Sequence, residues 1–352
     1  MIELDFRKSI IDANVDTRKD NALSFAEEIE KLNFGGLWHG HYVVRDLPGL
    51  DTLGVLTAVA ARTSRILIGT AVLQASLYHP LDLARRIVTI DQLSEGRFVL
   101  GVGTGGLKWE YDNLGIPFKQ RAGRLDEVIE ILKRLWTADG PIDYEGRYYK
   151  LKGVVCLPKP VQRPHPKIIG GGVWHGEVVG RSDLGANTEW SERAIARIAR
   201  SCDGWITIST IPVSRAAEII KEGVERIKAK AKEFGRTIRD KEFLLVAETG
   251  FINLNKSRTE AVDTGEKFYQ ARVARGFHQS RGNPSLDTHI KTGAYGSPEE
   301  VADFVRQWIA VKKEVPSLKR IQLNFASFNL VEQLRRFHDD VFPLIDKELR
   351  EA

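Results

Sequence analysis

One alternation recurs along the chain: a short β-branched or apolar run, a turn, then a segment with its apolar residues at helical spacing. Ile2 to Phe6 predicts a strand, and Ala22 to Leu32 predicts a helix with Phe25, Ile29 and Leu32 on one stripe. Gly36 to Trp38 starts a second strand, and Leu53 to Ala61 reads as helix. Arg65 to Val72 (RILIGTAV) is a near-continuous apolar run of buried-strand type. Leu81 to Leu93 reads as helix and Arg97 to Val102 as a fourth strand. The clearest helix is Gln120 to Trp136, with Leu125, Val128, Ile129, Leu132, Leu135 and Trp136 at i, i+3, i+4, i+7 spacing.

A hairpin is expected over Ile142 to Leu151, turning at Glu145-Gly146. Pro158 to Pro166 is an extended connector, after which strand and helix resume. Strands are expected at Lys167 to Ile169, Gly204 to Ile208 and Glu242 to Leu254, and helices at Glu189 to Ser201, Val213 to Phe234 and Arg258 to Gly276. Gly296-Ser297-Pro298-Glu299-Glu300 carries a Ser/Glu capping box with proline in the first turn. Arg320 to Phe325 is the eighth strand and Leu330 to Leu349 the last helix. Eight strands alternating with helices suit a doubly wound sheet or a (β/α)8 barrel, and the count favours one α/β TIM barrel over residues 1–352. Val173 to Thr188 and Gln279 to Thr292 read as insert loops over its C-terminal face.

Composition narrows the class. With 42% apolar or aromatic and 28% charged residues, disordered and fibrous classes are excluded. The net charge of +5 is slight for this length and permits an anionic ligand without requiring nucleic acid. Two cysteines, Cys156 and Cys202, make no disulfide framework and fit a reducing compartment. The N-terminal stretch lacks a signal-type apolar core and no window has the ~18 apolar residues of a membrane span, so a cytoplasmic protein with neither membrane nor nucleic-acid partner is expected.

Three motifs bear on chemistry. Gly101 to Gly106 satisfies G-x-G-x-x-G after a strand, but three βα units precede it, so a Rossmann fingerprint is discounted. What survives is glycines at a strand end, where a flat ligand can approach the backbone. Gly170-Gly171-Gly172 closes the fifth strand of the alternation in the same way. His39-Gly40-His41 ends the second strand, where two histidines could hold a metal, yet later strand ends supply no further ligands. A role in proton transfer or ligand binding for one of them is the better expectation.

The segment SRILIGTAVLQASLYHPLDLARRIVTIDQLSEGRFVLGVGTGG, then YDNLGIPFKQRAGRLDEVIEILKRLWT, YEGRYYKL, LPKPVQRPHPKIIGGG, ARSCDGW and GSPEEVADF, resembles the bacterial luciferase-like flavin-dependent oxidoreductases. The resemblance covers nearly the whole chain. It implies a (β/α)8 barrel with a flavin-type ring over the C-terminal strand ends and a cis non-prolyl peptide at Ala71-Val72. It further implies a cofactor border at Trp38, Gly103, Thr104 and Gly105, and a phosphate loop at Gly170, Gly171 and Gly172. Where relatives carry an acid or Asp-His after the second-strand tryptophan, this chain has His39-Gly40-His41-Tyr42, and Gly106 stands where some deazaflavin enzymes place a glutamate. His41, then Tyr42, are therefore the catalytic candidates.

The resemblance implies reduced FMN and dioxygen acting on a small organic substrate in a two-component monooxygenase, with a separate flavin reductase as partner. The alternative is a dehydrogenase or reductase using the deazaflavin coenzyme F-420. A further alternative is a homologue that binds flavin without catalysis. A homodimer or homotetramer is implied, and no metal is expected.

Overall fold

The computed structural model describes residues 2–8, 22–43, 49–175, 190–274 and 285–352, with backbone only at 272–274. The chain begins with β1 (Glu3–Lys8), α1 (Ala22–Lys31), β2 (Gly36–His39), α2 (Thr52–Arg62), β3 (Leu67–Thr70), α3 (Pro80–Leu93) and β4 (Phe98–Val102). Then follow α4 (Lys108–Asn113), α5 (Arg121–Thr137), the hairpin β5 (Ile142–Glu145) and β6 (Lys150–Val154), β7 (Lys167–Gly170), α6 (Glu192–Ser201), β8 (Gly204–Ile206), α7 (Ala216–Glu233) and β9 (Leu244–Leu254). The last elements are α8 (Arg258–Ala274), α9 (Leu286–Thr292), β10 (Ala294–Gly296), α10 (Pro298–Glu314), β11 (Leu318–Phe325), α11 (Leu330–Arg336) and α12 (Phe342–Glu351).

The parallel strands run in the order β1-β2-β3-β4-β7-β8-β9-β11, and β11 pairs back onto β1. This is a closed eight-stranded barrel with helices between its strands, so the expected TIM barrel holds. Alternation along each strand sorts the core into two. Outward residues such as Phe6, Phe325, Leu100 and Trp205 join one large shell against the helices. Phe6 alone meets Phe25, Phe34, Phe325 and Phe337. Inward residues Trp38, Ala71, Val99, Ile169, Ile206, Leu244 and Val246 form a separate cluster filling the lumen. The Trp38 ring lies where a side chain on Gly69 would be, 2.5 Å from that Cβ position, so this glycine is what admits the tryptophan.

The helices form where the apolar period expects. In α5, Leu125, Val128, Ile129, Leu132, Leu135 and Trp136 are all buried, each contributing about 1.5–3 kcal/mol by burial. Ser297 and Glu300 make the reciprocal capping box of α10. The hairpin turns over Gly146–Tyr149 rather than at Glu145-Gly146, because the Gly146 N–H bonds to the Tyr149 carbonyl and Glu127 of α5 accepts the N–H groups of Arg147, Tyr148 and Tyr149. Helix α6 begins at Glu192, where the Ser191 hydroxyl caps the Ala194 N–H, and Glu189 of the expected helix lies outside the described residues. Residues 176–188 and 279–284 of the two expected insert loops lie outside the described residues. In the remainder of the second, Ser285 is the N-cap and Leu286–Thr292 form α9. Both cysteines are buried. Among the described residues, no helix is long and apolar enough to cross a membrane.

Candidate active site

In a closed parallel barrel the C-terminal strand ends gather loop residues from many parts of the chain at one mouth. The Ala71-Val72 peptide is cis and follows β3 directly. Leu73 continues beside β4, its N–H bonding to the Gly101 carbonyl at 2.7 Å and its carbonyl accepting from Gly103 at 2.9 Å. Val72 consequently projects between strand ends that carry no side chains. A Cβ at Gly103 would lie 2.6 Å from Val72 Cγ2, and one at Gly171 would lie 3.3 Å from Val72 Cγ1. Ala71 and Trp38 belong to the lumen cluster, and Val72 packs against it. The structure therefore brings Trp38, Ala71, Val72, Gly103 and Gly171 together as one apolar rim of mostly bare backbone.

The other expected border residues divide. Gly105 takes a positive φ of 64° and faces the Gln74 side chain. Thr104 offers its carbonyl to the Tyr111 hydroxyl at 2.5 Å. Gly172, with φ 80°, has only His175 Cε1 near its open side, at 4.0 Å. Gly170 faces outward: a Cβ there would meet Ile198 Cγ1 at 2.5 Å, so its open side accommodates α6.

The two histidines separate. His39 Nδ1 lies 2.8 Å from the Gly40 carbonyl, which can only accept, so Nδ1 carries the proton. Thr52 Oγ1 donates to the same carbonyl at 2.6 Å. His41 turns to the Tyr78 hydroxyl, 2.8 Å from its Nε2. The Gln74 N–H approaches His41 Nδ1 at 3.4 Å, which makes Nδ1 the acceptor and leaves Nε2–H to donate to Tyr78. The hydroxyl proton of Tyr78 then has no other partner among the described residues.

Burial, with few compensating charges, holds both rings neutral. It pushes His39 down to about 4; the Gly40 carbonyl opposes this, while Lys8 and Arg7 reinforce it. It pushes His41 down to about 4 as well, opposed by Asp51 and reinforced by His39. The Tyr78 phenol is raised, again chiefly by burial, and stays protonated through neutral pH. Tyr42 is half-buried beside residues 44–48, which lie outside the described residues. Among the described residues no three His, Cys, Asp or Glu side chains gather as a metal site.

Three groups escaped the sequence reading. Tyr78 lies 37 positions from His41 and carries no local signal. Gln74 donates its Nε2 to the His41 carbonyl at 3.4 Å, while its buried Oε1 has no partner. Glu110 of α4 is fully buried, takes the Val43 N–H at 3.2 Å and leaves Oε2 unpartnered. These residues fit a flat, amphipathic redox ring. The lumen rim is apolar, Val72 lies over the bare strand ends at Gly103 and Gly171 while Gly172 stays open, and an orphaned acceptor stands at the edge.

The family model described as luciferase-like monooxygenase matches residues 8–311. The chain belongs to that family. Its curated relatives include an F420-dependent glucose-6-phosphate dehydrogenase from Amycolatopsis mediterranei, 32% identical over 203 residues, 54% of this chain and 53% of that one. They also include an FMNH(2)-dependent dimethylsulfone monooxygenase from Pseudomonas putida, 29% identical over 192 residues, 54% of this chain and 46% of that one. The chain thus spans about half the length of these relatives. Among solved structures, a monooxygenase from Streptomyces bottropensis superposes with TM-score 0.76 at 20% identity, covering 97% of this chain and 99% of that one. An F420-dependent secondary alcohol dehydrogenase reaches 0.73 at 15% identity, with 99% of each chain covered. At these identities the likeness is one of fold. Members of the family are flavin- or F420-dependent oxidoreductases.

Proposed function

We propose that this luciferase-like barrel is a two-component monooxygenase that takes reduced FMN from a separate reductase and oxidises a small organic substrate with dioxygen. The observation carrying this reading is the dry floor of the mouth. Trp38, Ala71, Val99, Ile169 and Ile206 are buried apolar side chains directly beneath the Val72 rim. When bound, the flavin supplies the oxygen chemistry, and that chemistry requires water to be kept away. The chain's own residues exclude solvent, support the ring at Ala71 and Val72 and border it at Gly103, Thr104 and Gly105, with Gly171 and Gly172 toward the phosphate while Gly170 gives its open side to α6. His41 stays neutral and orients the Tyr78 hydroxyl, which holds a proton at Oη for donation to substrate or cofactor. Tyr42 stands next to His41 as the second proton-transfer candidate.

A second reading is hydride transfer with the deazaflavin coenzyme F-420. The His41–Tyr78 pair favours it in the reducing direction, because hydride addition to a carbonyl needs a proton delivered to its oxygen, which the Tyr78 hydroxyl holds. Equilibrium titration of the purified full chain with reduced FMN, under nitrogen, and with the deazaflavin separates the two. Micromolar FMN binding, followed by substrate-dependent oxygen uptake, is the expected result. Tight deazaflavin binding with no FMN binding would reverse the ranking, and tight flavin binding with no turnover on any substrate would favour a binding protein.

A further inference from the structure

Helix α4 is built inside out. Its tryptophan, Trp109, is 37% exposed, while the next two residues, Glu110 and Tyr111, are wholly buried. A helix that needs only an apolar face gains nothing from these two, since burying a carboxyl or a phenol costs free energy unless its hydrogen bonds are recovered inside. Where those bonds go is therefore informative. Glu110 Oε1 accepts from the Val43 N–H at 3.2 Å, and Oε2 meets no partner among the described residues. The Tyr111 hydroxyl donates to the Thr104 carbonyl at 2.5 Å, because a carbonyl can only accept. That uses its single proton, so the Ser76 hydroxyl, 2.7 Å away, donates to Tyr111.

The three partners lie on the loops that follow β2, β3 and β4. Val43 stands just past His41 and Tyr42, and Ser76 just before Leu77 and Tyr78. His41 and Tyr78 thus come from different strand ends, and their 2.8 Å contact exists only while both loops keep a fixed spacing. The two loops also touch directly at Gln74, but both contacts are long. Its N–H is 3.4 Å from His41 Nδ1, and its Nε2 is 3.4 Å from the His41 carbonyl. Hydrogen bonds weaken toward that length, so the path through α4, at 3.2 Å and 2.7 Å, is the stiffer one.

We infer that Glu110 and Tyr111 are positioning residues, and that α4 sets the His41–Tyr78 hydrogen bond by gripping the two loops that carry its partners. This rests on the reading of His41 and Tyr78 as the proton-transfer pair. Glu110 leaves one buried oxygen unmet, a cost that stability alone would not retain; holding Val43, and with it His41, accounts for the acid at this place. Tyr111 does the same for Tyr78 through Ser76, and its bond to Thr104 anchors the grip to the fourth strand end.

The test is the one-bond N–H correlation of His41 in the cofactor-free full chain, made with isotope-labelled histidine and assigned by its loss in His41→Gln. The bond to Tyr78 draws the Nε2 proton downfield, and a longer bond lets it return upfield. Tyr111→Phe and Glu110→Leu should each move the signal upfield by more than its linewidth and quicken its exchange with water. Glu110→Gln keeps an acceptor for Val43 and should restore the wild-type position. Tyr144→Phe, which removes a buried phenol's bond to Glu130 away on the hairpin, should leave the signal in place. If either α4 variant fails to fold, Ser76→Ala releases Tyr111 from the other end and should give the same upfield shift. An unmoved signal in Tyr111→Phe, Glu110→Leu or Ser76→Ala overturns the inference. So does a shift of equal size in Tyr144→Phe, or a Glu110→Gln signal that matches Glu110→Leu. Turnover of Tyr78→Phe is read separately. An unchanged rate there removes the proton-transfer reading, and the His41 signal still decides whether α4 sets the bond.

Discussion

Acid should destabilise this barrel from about pH 6.5 downward, and His39 and His41 are the reason. Each falls from 6.5 to about 4 on folding. Between those values the unfolded chain binds the protons that the folded chain refuses. Stability is therefore complete above pH 6.5 and is lost as pH drops toward 4. At about 1.4 kcal/mol per pH unit, each histidine withholds about 3 kcal/mol over the whole window. At pH 5 the same relation gives about 2 kcal/mol for each, or up to about 4 kcal/mol together if they titrate independently. Urea unfolding at pH 7.5, 6 and 5 measures the loss. Comparison with the double variant His39→Asn, His41→Gln subtracts the contribution of every other group. The wild type should lose about 4 kcal/mol more than the variant between pH 7.5 and pH 5. Parallel curves for the two proteins would refute the argument, as would imidazole proton resonances of these two residues that titrate near 6.5.

Tyr78→Phe removes the hydroxyl that His41 meets at 2.8 Å; stability should fall by about 1 kcal/mol or less, while turnover falls about a hundredfold, and combining it with His41→Gln should cost little more than either alone if the pair acts as a unit. Gly101→Ala puts a Cβ 1.9 Å from the Thr70 carbonyl oxygen; backbone cannot yield there, so thermal melting should register a loss of about 3 kcal/mol or more, or no folded protein. Glu127→Ala takes the acceptor from the amides of Arg147, Tyr148 and Tyr149; their hydrogen exchange should quicken sharply with little change in global stability, and unchanged exchange would show the clamp to be idle.

Signals that act within a few residues were legible in the sequence. The α5 stripe and the Ser297/Glu300 capping box are local, and both form where read. Strand β10 was missed because Ala294-Tyr295-Gly296 becomes a strand only by pairing with Ile252–Leu254. Helix α4, Lys-Trp-Glu-Tyr-Asp-Asn, is too short and too polar to show a period. The rim was reached through family resemblance, which pointed to Ala71 and Val72; the pattern of apolar positions alone reads RILIGTAV as ordinary strand. The H-x-H motif was visible, but not that its two rings choose different partners, since His41 departs from the strand toward a tyrosine 37 positions away. Arg7 and Glu248, 241 positions apart, meet only because β1 and β9 both flank β11.

The buried Asp5 carries a consequence for how the chain is made. Its carboxyl is drawn up by burial and pulled back by Arg320, which lies 315 positions later. While the polypeptide is still emerging from the ribosome, the opening stave of the barrel has an acid to hide and no cation with which to hide it. Closure must wait for the 315 positions that separate the two residues, a long-separation contact of the kind that slows folding and prolongs exposure to aggregation. Shortened products that stop before Arg320 should therefore be chaperone clients rather than compact intermediates.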